Sequence, residues 1–195
     1  MTPGMTTSAE PPSGAEEGPS SEGELPRTCA EVSLDDESWL SIAGFLELIP
    51  SLAASALAAI ELAPDKHAIS IALMSDAGIR TLNRAFRGKD MPTNVLSFPS
   101  PPISRIAAGR QPDPLFLGDV ALAYETVVRE ASELEKPALH HAAHLTVHGI
   151  LHLAGFDHGG DADAKRMEAT ERLVLSKFGI PDPYGEDTAP PAASL

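Results

Sequence analysis

Six of the seven histidines fall between His140 and His158, and three of them lie in the run His148-Gly149-Ile150-Leu151-His152-Leu153-Ala154-Gly155-Phe156-Asp157-His158. Side chains four residues apart on a helix sit one turn above the other on the same face, so the imidazoles of His148 and His152 can grip a single ion. Gly155 lacks a Cβ and suits a left-handed helix end, which lets the chain turn and bring His158 back to the same ion. Three neutral nitrogen ligands leave a fourth tetrahedral position for water. That is the pattern of a catalytic zinc site, whereas a structural site is closed by protein ligands on all four sides.

Two histidines at this spacing also occur on solvated helices, so the surroundings matter. Leu145, Val147, Ile150, Leu151 and Leu153 make this helix largely apolar, and a buried imidazole without a partner is costly there. A ligand role supplies the partner. In metallopeptidases of the H-E-x-x-H type, the residue after the first histidine is a glutamate that serves as general base. Here that position is Gly149, so such a mechanism lacks its proton acceptor. His144, one turn before His148, fits a packed or hydrogen-bonding role better than a fourth ligand, because a fourth protein ligand would close the open position. Asp157 can orient a ligand or face solvent; the sequence leaves both readings open.

A second run, Leu82-Asn83-Arg84-Ala85-Phe86-Arg87-Gly88-Lys89-Asp90-Met91-Pro92-Thr93-Asn94-Val95-Leu96-Ser97-Phe98-Pro99, resembles a signature of the YbeY endoribonuclease family, also called the rRNA maturation factors. Leu117-Gly118-Asp119-Val120 is similar to that family's central strand, and the histidine run to its H-G-x-L-H-L-x-G-[YF]-D-H pattern. The resemblance covers roughly Thr28 to Tyr184 with its three motifs in order. It implies one zinc ion held by His148, His152 and His158, an arginine beside the metal cleft at Arg87, and a small mixed sheet flanked by helices. It further implies a single-strand-specific endoribonuclease acting in rRNA maturation, including the 3′ end of 16S rRNA, and in ribosome quality control. The partners implied are single-stranded RNA and the ribosome or its assembly proteins. The segment before Thr28 has no counterpart in the family pattern.

That segment, 1–26, is rich in Pro, Gly, Ser, Thr and Glu and almost devoid of large apolar residues. It cannot bury enough surface to offset its ordering entropy, so a disordered extension is expected. The domain is expected at 27–184, a size suited to one core, with a flexible tail at 185–195. No basic start and apolar core mark a signal peptide. The most apolar stretch, 42–62, carries Glu47, Pro50 and Glu61, which argues against a membrane span. The single cysteine, Cys29, excludes an intramolecular disulfide and fits a cytoplasmic location. With no G-x-x-x-x-G-K-[ST] and no G-x-G-x-x-G, no nucleotide cofactor is expected.

A net charge of −14 looks hostile to an RNA substrate, but it is unevenly spread. Residues 1–38 hold nine acids against Arg27, and 182–195 hold three acids and no base, which leaves −3 for the rest. Within that rest, Arg80, Arg84, Arg87 and Lys89 cluster within ten residues, so the local field outweighs the total. Arg80 and Arg84 are expected to solvate a helix face. Arg87 and Lys89 are expected beyond the helix in a glycine-containing loop, where function is more often carried.

The elements that must position these groups follow from periodicity and turn chemistry. Strands are expected at 28–34, 67–74, 95–98 and 115–123, with a loop at 99–114. Helices are expected at 39–62 with an interruption or kink at Pro50, at 76–86, at 124–134 with a Glu125–Arg129 pair, at 137–154, and from Asp161 to a stop at Gly179. Strands among helices without a repeat indicate an α/β (α+β) domain around one small sheet.

Zinc on three imidazoles would lower the pKa of a bound water toward about 7 and so suit hydrolysis. The planar guanidinium of Arg87 could pair with a phosphate oxygen as charge builds on it. The general base is not identifiable from sequence. The same ligands would serve a ribosome-assembly factor that binds RNA without cutting, or another metal-dependent hydrolase.

Overall fold

The computed structural model describes residues 29–101, 114–157 and 159–185. The expected N-terminal extension, the tail beyond Gly185, most of the 99–114 loop and His158 lie outside the described residues. Strands β1 (Ala30–Leu34) and β2 (His67–Met74) are each followed by a helix, α1 (Phe45–Ala59) and α2 (Asp76–Arg87), and strands β3 (Val95–Pro99) and β4 (Leu115–Ala123) then precede three helices, α3 (Tyr124–Glu133), α4 (Ala138–Leu153) and α5 (Asp161–Ser176).

The strands form one mixed sheet in the order β1-β2-β4-β3, in which only β3, at the edge, runs antiparallel to its neighbour. Side chains of a strand alternate between faces, and the two faces of this sheet differ in kind. One presents Ile69, Ile71 and Leu73 from β2 with Val120 and Leu122 from β4. Against it pack α1 and α4, with α5 behind them. Each fully buried side chain of this set contributes roughly 1.5–3 kcal/mol of transfer free energy. The other face presents small residues, Ala72, Ala121 and Ala123, and is covered by α2 through Ile79 and Leu82. Among the described residues, no helix is long and apolar enough to cross a membrane.

Four local expectations are corrected. Pro50 does not interrupt α1, which runs on from Phe45. A proline there removes one N–H and leaves one carbonyl of the preceding turn without its partner, and the burial of Ile49, Leu52, Ala53, Ala56 and Leu57 on either side outweighs that loss. The helix starts later than expected because Trp39 lies in a short 3₁₀ turn, Glu37–Ser41, its indole donating to the Met74 carbonyl. Glu125 does not pair with Arg129. Its carboxylate accepts the Asp76 N–H at 2.7 Å and so caps α2, while Arg129 approaches Asp76 and Glu133 at 3.9 Å. Arg87 is the last residue of α2, with Gly88 in the left-handed conformation after it, so only Lys89 occupies the following loop.

Candidate metal centre

Helix α4 crosses the closed face of the sheet at very short range. A Cβ at Gly149 would stand 2.6 Å from Val120 Cγ1 and 3.3 Å from Ser97 Oγ. Ser97 donates instead to the Gly149 carbonyl at 3.1 Å. No glutamate side chain fits between α4 and the sheet, so the residue that removes the peptidase base also sets the approach of the helix. This contact fixes the depth and rotation of the turn that carries His148.

At its C-terminal end α4 closes in a Schellman arrangement. The Phe156 N–H donates to Leu151 O and the Gly155 N–H to His152 O, with Gly155 at φ +87. The turn brings the Phe156 carbonyl within 2.8 Å of His152 Nδ1. A carbonyl only accepts, so that nitrogen carries the proton, and in the neutral ring Nε2 then holds a lone pair. His148 Nδ1 lies 2.8 Å from Glu171 Oε1, which by the same logic makes Nδ1 the donor and Nε2 the lone-pair atom. The two Nε2 atoms face one another at 3.1 Å. Two lone pairs at that distance repel unless a proton or cation lies between them. Both residues are half-buried, which leaves the site open to solvent on one side.

Glu171, fully buried on α5, anchors this arrangement. Its Oε1 accepts from His148, and its Oε2 faces His144 Nε2 at 3.3 Å and accepts a short hydrogen bond from the Tyr184 hydroxyl. Burial alone would raise the Glu171 pKa, but the hydrogen bonds from His144, His148 and Tyr184 outweigh it and bring it down to about 2. Burial and the adjacent carboxylate push the Tyr184 phenol up. An ionised acceptor behind a histidine fixes the tautomer and raises the basicity of the other nitrogen.

A second donor set overlaps the first. His144, His148 and Glu171 bring ligand-type atoms within 4.8 Å of one another, close enough to hold a metal ion. In this set, however, the histidine atoms meet the carboxylate as donor to acceptor, so a cation there would have to displace those protons. A cation between the converging Nε2 atoms of His148 and His152 instead leaves the hydrogen bonds at both Nδ1 atoms in place, and the donor chemistry favours that pair.

Of the residues singled out from sequence, His148 and His152 are brought together. His158 lies outside the described residues. Asp157 is exposed in the turn after α4, and Arg87 is exposed at the end of α2. Glu171 and Tyr184 were not foreseen. The signal for Glu171 was present as an acid within the apolar stripe of α5, one turn after Met167 and just before Val174. Toward the start of α4, His141 is buried with Nε2 2.8 Å from Glu130 Oε2. Burial lowers its pKa, and the carboxylate opposes this only in part.

A protein-family model described as Endoribonuclease YbeY matches residues 35–179 of the chain. The protein of that name from Rhodopseudomonas palustris strain HaA2 is 43% identical over 178 residues, covering 90% of each chain. That from Azorhizobium caulinodans is 46% identical over 155 residues, which is 79% of this chain and 94% of the relative. The solution structure of TM1509 from Thermotoga maritima, 23% identical, aligns with 80% of this chain and 99% of its own at a TM-score of 0.49.

Proposed function

The chain belongs to the endoribonuclease YbeY family, and from that premise we propose that it is a zinc-dependent, single-strand-specific endoribonuclease whose ion is held by His148, His152 and His158. The family description makes the chain a hydrolase of RNA phosphodiester bonds. The observation that carries the metal reading is the pair of Nε2 lone pairs facing one another at 3.1 Å, each fixed by a hydrogen bond at its own Nδ1. Neutral imidazoles of this kind suit zinc. When bound, a zinc ion supplies Lewis acidity and makes hydroxide available near neutral pH.

The chain's own residues supply orientation and charge. Glu171 and the Phe156 carbonyl hold the two imidazoles in one tautomer. Arg87 pairs with a non-bridging oxygen of the scissile phosphate through its fork of donors, a role supported by the family motif in which it sits and by its exposure. The physiological substrate is rRNA, with the 3′ end of 16S rRNA the proposed target. The ribosome or its assembly proteins are the partners, and the lone cysteine and family membership support the cytoplasm as the place of action.

The test is the single-turnover cleavage rate of a defined single-stranded RNA by the metal-loaded protein, beside Arg87→Ala and Arg87→Lys with metal content recorded. Arg87→Ala is expected to keep fold and metal and lose roughly 10²-fold or more in rate, as when one transition-state donor is removed. Arg87→Lys is expected to recover part of that, since it keeps the charge without the fork. A wild-type rate in Arg87→Ala sinks the role of Arg87. No cleavage by the wild type sinks the nuclease reading and favours an assembly factor.

A further inference from the structure

The open face of the sheet carries a groove of about 450 Å³ beside α2. Its floor is made of Ser70, Ala72 and Ala121, side chains too small to fill the space beneath a helix. Phe86 and Leu82 of α2 and Phe98 of β3 form the apolar walls, and Asp119 stands at the rim. Phe86 is the last apolar residue of α2 and remains 69% exposed, its ring held edge-on to Phe98 at 5.0 Å. A single exposed phenylalanine needs no explanation. Here, however, the ring lines a slot at the C-terminal end of α2, where exposed Arg87 and Lys89 follow it directly in a chain whose net charge is −14.

We propose that this groove seats an unpaired nucleobase of single-stranded RNA, stacked on Phe86, while Lys89, just beyond the end of α2, holds a neighbouring phosphate. The proposal rests on the nuclease reading and deepens it by naming how the substrate strand is held. A cationic stretch at one end of an apolar aromatic slot matches a ligand that alternates flat apolar rings with negative charge, and base–aromatic stacking accepts any base. Asp119 fixes the polarity of the arrangement: its carboxylate repels phosphate and accepts a hydrogen bond from a base N–H, so the base enters the slot and the backbone stays at the cationic end.

Strand β3 links the groove to the metal centre. Its adjacent residues point to opposite faces, Ser97 to the Gly149 carbonyl beside His148 and Phe98 into the groove. Because β3 is the edge strand, an RNA strand crossing it reaches both sites without passing through the core. The bases of a duplex are stacked and cannot enter the slot, so the groove would favour the single-stranded substrate proposed above.

The experiment is equilibrium binding of a short, nuclease-resistant 2′-O-methyl phosphorothioate RNA to the metal-loaded full chain, compared among wild type, Phe86→Ala and Phe86→Tyr and repeated with an abasic version of the same strand. Phe86→Ala is expected to weaken binding roughly five- to a hundredfold, the loss of one base–aromatic stack, and Phe86→Tyr to bind as wild type. With the abasic strand, wild type and Phe86→Ala are expected to bind equally. The exposure of Phe86 means its truncation opens no core. Unchanged affinity in Phe86→Ala overturns the groove's occupant, and would point to a protein partner for this face; so does a loss that persists with the abasic strand. Cleavage of ordinary single-stranded RNA by the wild type, measured separately, decides the nuclease reading whichever way the binding falls.

Discussion

Two of the histidine pairs on helix α4 share their spacing and have opposite outcomes. His144 and His148 are four residues apart, as are His148 and His152. In the first pair the ring centroids lie 6.2 Å apart and His144 Nε2 is turned to Glu171 and Tyr184. In the second they lie 4.6 Å apart, and the two Nε2 atoms converge. Spacing places two imidazoles on one helix face. What each ring does there is decided by the acceptor at its other nitrogen, and that acceptor comes from elsewhere in the fold: from α5 for His144 and His148, from the turn after Gly155 for His152.

The broadest way to break the comparison is to move the helix itself. Gly149→Ala places a methyl against Val120 and is expected to destabilise the protein by about 1–3 kcal/mol, the cost of overpacking a tight contact, and to weaken metal binding because α4 shifts as a unit. Urea unfolding measures the first effect and a chelator-competition titration the second; unchanged values for both would mean that the contact with Ser97 and Val120 does not position the site.

Next in size is the shared anchor. Glu171→Gln keeps the shape of the side chain, but a neutral amide is a weaker acceptor for His148 and offers a donor where its neighbours also donate. Metal affinity is expected to fall about 10–100-fold, the usual cost of losing the partner of a ligating histidine, with little change in the secondary structure seen by circular dichroism. Wild-type affinity in this variant would remove Glu171 from the account.

These two residues show how far the sequence could be read. The strands at 67–74 and 115–123 match the expected bounds because alternating apolar residues state their own period, and Gly155 announced its left-handed turn through the absence of a side chain. His148 and His152 were visible for the same reason, since one helical turn is a local quantity. Glu171 and Tyr184 reach the site through contacts 23 and 13 residues apart in sequence, to His148 and between themselves, and no local period encodes such meetings. The interruption expected as one alternative at Pro50 is absent because the tertiary burial of α1 on either side of it overrides a local preference. Phe86 shared the helical spacing of Ile79 and Leu82, yet lies beyond the edge of the surface that α2 covers, and periodicity does not report where a covering surface ends.

The smallest effect concerns His141, further toward the start of the same helix. Its folded pKa lies below the unfolded value of 6.5 because burial disfavours the charged ring. Its contribution to stability is therefore intact above about pH 6.5 and lost as pH falls below it, since the unfolded chain takes up the proton first. Unfolding midpoints measured from pH 7.5 down to pH 5 (on the order of one unit either side of the histidine range) should show a shallower decline in His141→Gln than in wild type. Parallel slopes would mean that Glu130 offsets the burial.

The two histidine pairs are separated most directly by counting metal. Zinc content per chain is measured by elemental analysis in wild type, His152→Ala and His144→Ala purified alike. One ion is expected in wild type, none in His152→Ala, and one in His144→Ala. Metal retained in His152→Ala and lost in His144→Ala would contradict it, and would assign the ion to His144, His148 and Glu171 instead.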